Sequence, residues 1–436
     1  MKISRCFGHC CLLTLLCWQQ NAQAAFDGNE KAMNTWIDAH SEDAISLLRQ
    51  TVNISSGTLN LEGVRAVGAV MRSELDALGL STRWIDMPAD IQRAGHLIGQ
   101  QRERPGKRLL LIGHLDTVFE ADDSFQAFGR HGDIATGPGV DDMKSGNVVI
   151  VYALKALQEI GVLGEIPMIV FFTGDEEKSG RPLSVARKDL IESGQWADIA
   201  LGFESAAYRD GQDWATIARR GASEWHLEVE GKQSHSSGIF SEDVGAGAIF
   251  EAARILTGFY EQVRGEDYLT FNAGTIQGGT QVAYDYQQNR GTTFGKTNVV
   301  PKKVIVHGGI RTLSAEQLLR AQHAMRAVVA RHLPHTRATI EFEEGYPPMS
   351  PTAGNMQLQH MLSEVNRDLG RGPMPAYDPS LRGAADISFV APYTDGLAGL
   401  GAIGRGGHTP EESLELASMP LAIKRAAILI YRLTRS

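Results

Sequence analysis

The stretch IVFFTGDEEKSG, residues 169–180, runs from unbroken apolar residues straight into three adjacent acids, Asp175, Glu176 and Glu177. With the preceding EIPM, residues 165–173 read as a strand apolar on both faces, as a strand is when helices cover both sides of its sheet. Three neighbouring anions are tolerable on a solvated loop. They are also what a divalent cation needs, and adjacent glutamates leave the strand pointing in different directions. One can then hold a cation while the other addresses a water beside it.

The neighbouring segments extend the same pattern. RLLLIGHLDTVF (108–119) reads as a second strand, bounded by Pro105-Gly106 and an acidic run from Glu120 to Asp123. Between the two, Val148, Val151, Leu154 and Leu157 recur at helical spacing, and Gly161 supplies the stop. A strand, a crossover helix and a strand imply parallel pairing. ADIALGF (197–203) follows as a third strand.

From Gly221 to Tyr346 the pattern changes to strand, helix (242–264), two strands, helix (314–332) and a last strand, RATIEFEEGY. That order is the ferredoxin-like β-α-β-β-α-β unit. The expected organisation is a signal peptide over 1–24, a first catalytic part over 25–220, an inserted α+β domain over 221–346 and a second catalytic part over 347–436. The expected fold class is α/β, a mixed and mostly parallel sheet with helices on both faces, plus the insertion.

Composition narrows the chemistry. Lys2 and Arg5, a short apolar stretch and Ala22-Gln23-Ala24 before Ala25 have the layout of a cleavable export signal, so a periplasmic or secreted location is expected. All four cysteines, Cys6, Cys10, Cys11 and Cys17, fall inside that segment. A mature chain cleaved there has no thiolate ligand, disulfide or cysteine nucleophile. The net charge of −9, more negative still without Lys2 and Arg5, argues against nucleic acid and anionic membranes as partners.

The polar residues with chemical potential gather where the strands end. In an open α/β sheet, ligands bind outside the carboxyl ends of the strands. His114 and Asp116 end the 108–119 run, Glu176 and Glu177 follow 165–173, and Glu204 follows 197–203. Asp142 lies in the turn GPGVDDMKSG, and His408 follows the glycine-rich GLGAIGRGG. Side chains alternate along a strand, so His114 and Asp116 are expected on one face, with the carboxylate accepting the spare ring N–H of a metal-binding imidazole. A local surface hydrogen bond is the other reading of His-x-Asp. A divalent ion such as zinc lowers the pKa of a coordinated water to roughly 7, and a free carboxylate nearby can take its proton.

The ordered series GHLDTV, GPGVDDMKSG, TGDEEKSG, LGFES, QSHSSG and GGHTPEE resembles the di-zinc metallopeptidase and deacylase family of bacterial glutamate carboxypeptidase, acetylornithine deacetylase and succinyl-diaminopimelate desuccinylase. The resemblance implies a zinc-peptidase-like sheet, an inserted lid and dimerisation domain, and two Zn2+ per subunit. His114 and Glu204 would bind one zinc and Glu177 and His408 the other, with Asp142 bridging because it directly precedes Met143-Lys144. Asp116 would orient His114, and Glu176 would be the general base. His235 would reach the active site of a partner subunit in a homodimer, while Asn298 and Arg311 would hold the substrate, the guanidinium pairing with a carboxylate. Ser145 and Gly309 depart from the commoner family pattern. The remaining histidines, His226 and His307 among them, match no motif and read as structural or surface residues.

The resulting expectation is an exported zinc hydrolase that cleaves an amide bond next to a free carboxylate, foremost a carboxypeptidase of the glutamate carboxypeptidase type. An N-acyl-amino-acid deacylase or a dipeptidase keeps the chemistry and changes the substrate. A non-catalytic periplasmic peptide-binding protein keeps only the cleft, and Glu176 speaks against it because a pure binder needs no free base.

Overall fold

The apolar run of the opening stretch forms the strand Met168–Thr173, buried throughout. It sits inside a six-stranded sheet ordered Ser81–Ile85, His96–Gln101, Met168–Thr173, Leu109–His114, Ile199–Gly202 and Asp395–Leu397. The last four pair in parallel, while the first two are antiparallel additions at one edge. The computed structural model describes residues 26–285, 288 and 290–435. The expected signal segment and its cysteines lie outside the described residues.

Strand periodicity builds two cores. Leu109, Leu111, Met168, Val170 and Phe172 pack against Val148 and Val151 of the helix Lys144–Glu159 and Ala427 of the helix Ser418–Arg435. The alternate residues Leu110, Ile112, Ile169 and Phe171 pack on the opposite face against Leu183, Leu190, Ile387 and Phe389. Each strand therefore has no polar face, which is why its sequence reads as continuous apolar residues.

Register then sets the position of the polar residues. His114 pairs with Thr173, and the backbone N–H of Phe203 donates to Ile112 O at 3.0 Å, so three strands end level. One expectation is corrected here. The 108–119 run ends as a strand at His114. Leu115 N still donates to Thr173 O, but Thr117 N turns to Ser56 O, so Asp116 sits in a turn rather than on the strand face with His114.

At Ala222 the chain passes into a four-stranded antiparallel sheet ordered Thr270–Gly279, Lys303–Arg311, Ala222–Gly231 and Thr336–Tyr346. Trp225, Leu227, Val229, Val304, Val306 and Phe342 turn to one side. There they pack with Ile255 and Phe259 of the helix Gly247–Gln262 and Met325 of the helix Ala315–Val329. The intervening residues Glu224, His226, His307 and Glu343 occupy the other face. A hairpin, Gln281–Asp285 with Arg290–Phe294, escaped the sequence analysis. The second of its strands is exposed throughout, so burial leaves no apolar pattern to read.

Asp175, the first of the three acids, belongs to the frame rather than to a ligand set. It accepts from Arg187 Nη1 at 2.6 Å, and Arg187 Nε donates to Asp386 Oδ1 at 2.9 Å, with Arg187 and Asp175 both fully buried. Tyr346, the last residue of the inserted sheet, accepts from Arg187 Nη2 at 2.9 Å and donates to Glu176 O at 2.8 Å. The network thus ties the strand returning from the insertion to the loop that carries Glu176 and Glu177. Replacing Arg187 with Leu leaves two buried carboxylates uncompensated and should cost roughly 3–5 kcal/mol. Chemical denaturation of the purified variant checks this, and a wild-type midpoint would contradict it.

Candidate metal centre

Two buried carboxylates shape the turns before any ligand is considered. Asp116 accepts Glu176 N at 3.0 Å, Glu177 N at 3.1 Å and Thr58 Oγ1 at 2.6 Å. Glu412 accepts Asp141 N at 2.8 Å, Asp142 N at 2.9 Å and Gly139 N at 3.0 Å. Each carboxylate satisfies backbone donors of a turn that has no ladder to bond to, and so holds the side chains of that turn in one direction. Sequence analysis missed Glu412; its position in GGHTPEE, four residues past His408, was the available signal.

Asp142 stands between two histidines from opposite ends of the chain. Its Oδ1 lies 3.1 Å from His114 Nε2 and its Oδ2 lies 3.1 Å from His408 Nε2. His408 Nε2 is also 3.1 Å from Glu177 Oε2, and His114 Nε2 is 3.7 Å from Glu204 Oε1. The five residues expected at the metals therefore meet in one place. Asp141 turns away and accepts from Ser205 Oγ at 2.6 Å.

The role of Asp116 differs in detail from expectation. The other ring nitrogen of His114, Nδ1, lies 3.0 Å from the backbone carbonyl of Asp116, with the carboxylate at 3.5 Å. The carbonyl is the nearer partner and, against the effect of burial, the carboxylate behind it raises the ring's pKa, so the residue faces His114 with both groups. The carboxylate also holds the backbone of Glu176 and Glu177.

His408 approaches from a glycine-rich segment because its neighbours require close backbone contact. A Cβ on Gly401 would lie 2.7 Å from Phe203 O and 2.8 Å from Glu204 O. One on Gly404 would lie 2.2 Å from the Asp141 carboxyl carbon. His408 itself adopts a φ of +66°, a left-handed conformation uncommon outside glycine.

The electrostatics call for a cation. Burial pushes Glu176 well above the usual carboxylate range, with the Glu204 carboxylate adding to it, and burial likewise raises Glu204. Glu177 is pushed up to about 7, burial outweighing its bond to His408. Asp142 alone among these carboxylates is held far below its usual value, because the two imidazoles overcome its burial. Glu177 Oε1 is buried with no hydrogen-bond partner. An orphaned carboxylate oxygen beside other carboxylates and two imidazole nitrogens is a donor set that fits a divalent cation. Sequence analysis also missed Arg219, whose Nη2 lies 3.9 Å from Glu204 Oε2, and half-buried Arg382, which donates to Ser205 O at 2.8 Å. Both are arginines in unremarkable contexts, ARR and SLRG, that fold alone brings here.

The three candidates from the inserted domain stand apart. His235 is exposed, with Nδ1 accepting from Ser237 N at 3.2 Å, and Asn298 lies beside it, its carbonyl accepting from Ser236 N at 2.9 Å. Arg311 lines a cavity of about 470 Å³ with Arg181, Asn272 and Tyr346. Among the described residues no hydrogen bond or ion pair joins these three to the cluster.

Proton release follows from this geometry. Bonds to Asp142 and Glu177 raise His408 to about 11. It is thus protonated at neutral pH in the metal-free protein and must lose that proton to become a ligand. Metal affinity should therefore rise with pH through the neutral range. Calorimetric titration of Zn2+ into the metal-free protein at pH 7 should give an enthalpy that varies with the ionisation enthalpy of the buffer, and a buffer-independent enthalpy would contradict the reading.

Comparison with known proteins accords with this site. The model of peptidase family M20/M25/M40 matches residues 110–432. Carboxypeptidase G2 of Pseudomonas sp. (strain RS-16) is 27% identical over 410 residues, covering 92% of this chain and 92% of the relative. The fold is shared with aminopeptidase PepT of Bacillus cereus ATCC 10987, at a TM-score of 0.69 and 19% identity, over 90% of this chain and 98% of that one. It is also shared with YXEP of Bacillus subtilis, described as a dinuclear metal binding peptidase, at a TM-score of 0.62 and 14% identity, over 91% and 99%. With the matched segment spanning every one of the five clustered residues, the chain belongs to peptidase family M20/M25/M40 and is a metal-dependent peptidase.

Proposed function

We propose that this peptidase works with two zinc ions and cleaves an amide bond beside a free carboxylate, releasing a C-terminal amino acid such as glutamate from a peptide or N-acylated substrate. The observation that carries the reading is Asp142, with one oxygen on each of two histidines. His114 and Glu204 hold one ion, Glu177 and His408 the other, and Asp142 both. Ions held there would supply Lewis-acid polarisation of the scissile carbonyl and acidify the attacking water.

The protein supplies the proton traffic. Glu176 takes a proton from the water as its oxygen bonds to the carbonyl carbon, then passes that proton to the amine nitrogen as the C–N bond breaks. Its fixed backbone, bonded to Asp116 Oδ1 and to Tyr346 OH, keeps the carboxylate beside the ions without being one of their ligands. Arg311 pairs with the substrate's free carboxylate, and Arg220, whose pKa is lowered by burial and by the charge of Arg311, lies close to it.

Export and dimerisation complete the reading. The first 24 residues support export by their composition. The Thr270–Gly279 strand is an open edge of its sheet, and exposed Ile249, Phe250, Phe240 and Ile276 lie on the inserted domain, with the Phe240 and Phe250 rings 5.4 Å apart. An open edge with apolar neighbours suits pairing with a second copy, which would bring the exposed His235 to the partner's cleft.

Replacing Glu176 with Gln should leave the metal content unchanged and lower kcat by on the order of 10² or more. Wild-type turnover in that variant would refute the assigned base. Replacing Arg311 with Ala should raise KM for substrates with a free α-carboxylate far more than for their amidated analogues. Equal effects on both would refute the carboxylate contact, and preferential release of acetate from N-acetyl amino acids would favour a deacylase.

A further inference from the structure

The face of the inserted sheet opposite its helices carries a second set of metal-competent side chains. His226 and His307 are direct partners across the Ala222–Gly231 and Lys303–Arg311 strands, with Nδ1 of the first 2.9 Å from Nε2 of the second. Glu224 lies two residues from His226 on the same face, and one donor atom from each of the three residues falls within 4.8 Å of the others. The same spacing describes His114, Asp142 and Glu177 in the metal centre. Glu343, on the third strand, holds His226 Nε2 at 2.5 Å.

We propose that Glu224, His226 and His307 form a further divalent-metal site, suited to Zn2+ and distinct from the binuclear centre. Glu343 supplies the orienting carboxylate. With Nε2–H donating to Glu343, His226 Nδ1 carries the lone pair, the tautomer a ligand needs. An ion of about 2.0–2.1 Å Zn–N distance would stand between the two nitrogens once they part to roughly 3.3 Å and the rings turn their lone pairs toward it. His307 is buried, with the Tyr284 ring stacked on it at 4.5 Å, and Glu224 is exposed, so an ion would enter from the Glu224 side.

The site has a consequence for the cavity. Glu224 lines the same 470 Å³ space as Arg311 and Arg181. An ion on His226 and His307 draws that carboxylate toward the sheet and away from the cavity. It also cross-links two strands, with the third held through Glu343.

The test uses the mature full-length protein, stripped by chelator and titrated with Zn2+ while bound metal is counted by mass spectrometry. Wild type should bind one equivalent more than His226→Gln, whatever the count at the binuclear centre. Glu224→Gln, an exposed change that leaves the packing of the sheet alone, should keep that equivalent but hold it about tenfold or more weakly. Equal stoichiometry and equal affinities in wild type and both variants would overturn the proposal, leaving an ordinary hydrogen-bonded histidine pair.

Discussion

Asp142 is the residue on which the arrangement depends. Its carboxylate is shared by His114, at the end of a central strand, and His408, in a late loop. Two imidazoles on one carboxylate set the separation of whatever binds there, since each oxygen addresses one nitrogen only. Burial ordinarily raises a carboxylate's pKa, and Asp142 is instead driven down because both histidines favour its anion. Glu176, Glu177 and Glu204 are driven up, because at each of them burial outweighs the cationic groups nearby. A site so divided is unfavourable without cations and favourable with them, which couples metal binding to the acid–base state of the cluster.

The rigidity of that carboxylate comes from other carboxylates. Glu412 holds the backbone of Asp141 and Asp142, and Asp116 holds that of Glu176 and Glu177. Asp175 reaches the other way, to Arg187, and through Tyr346 the loop is fastened to the strand that returns from the inserted domain. The three consecutive acids thus serve three different tasks: Asp175 in the frame, Glu176 beside the cluster and Glu177 within it. A displacement of the inserted domain would be felt at the Glu176 carbonyl through a single hydroxyl.

Much of this was legible in the chain. The apolar runs 109–112 and 168–172 announce strands buried on both faces, and the acids and histidines that follow mark where those strands end. Less legible were the helpers. Thr58, Arg219 and Arg382 carry no periodic or motif signal, because each acts through a backbone group or a neighbour distant in sequence, and Glu412 had only its place in GGHTPEE. The Asp116 carboxylate was expected on the His114 ring. It lies 3.5 Å from that ring and also accepts two backbone N–H groups and the Thr58 hydroxyl, since the strand stops two residues earlier and leaves a turn's donors unpaired. His226 and His307, set aside as structural or surface residues, became neighbours only through the cross-strand register.

The amino-acid order by itself determined which segments could be strands, which side chains could bind a cation and the class of chemistry they could do. It did so because periodicity and donor type are local properties. Which carboxylate holds a turn, and which histidines face each other, were decided only by tertiary structure. Those outcomes depend on strand register and on where buried backbone donors find acceptors, and neither is a property of any one segment.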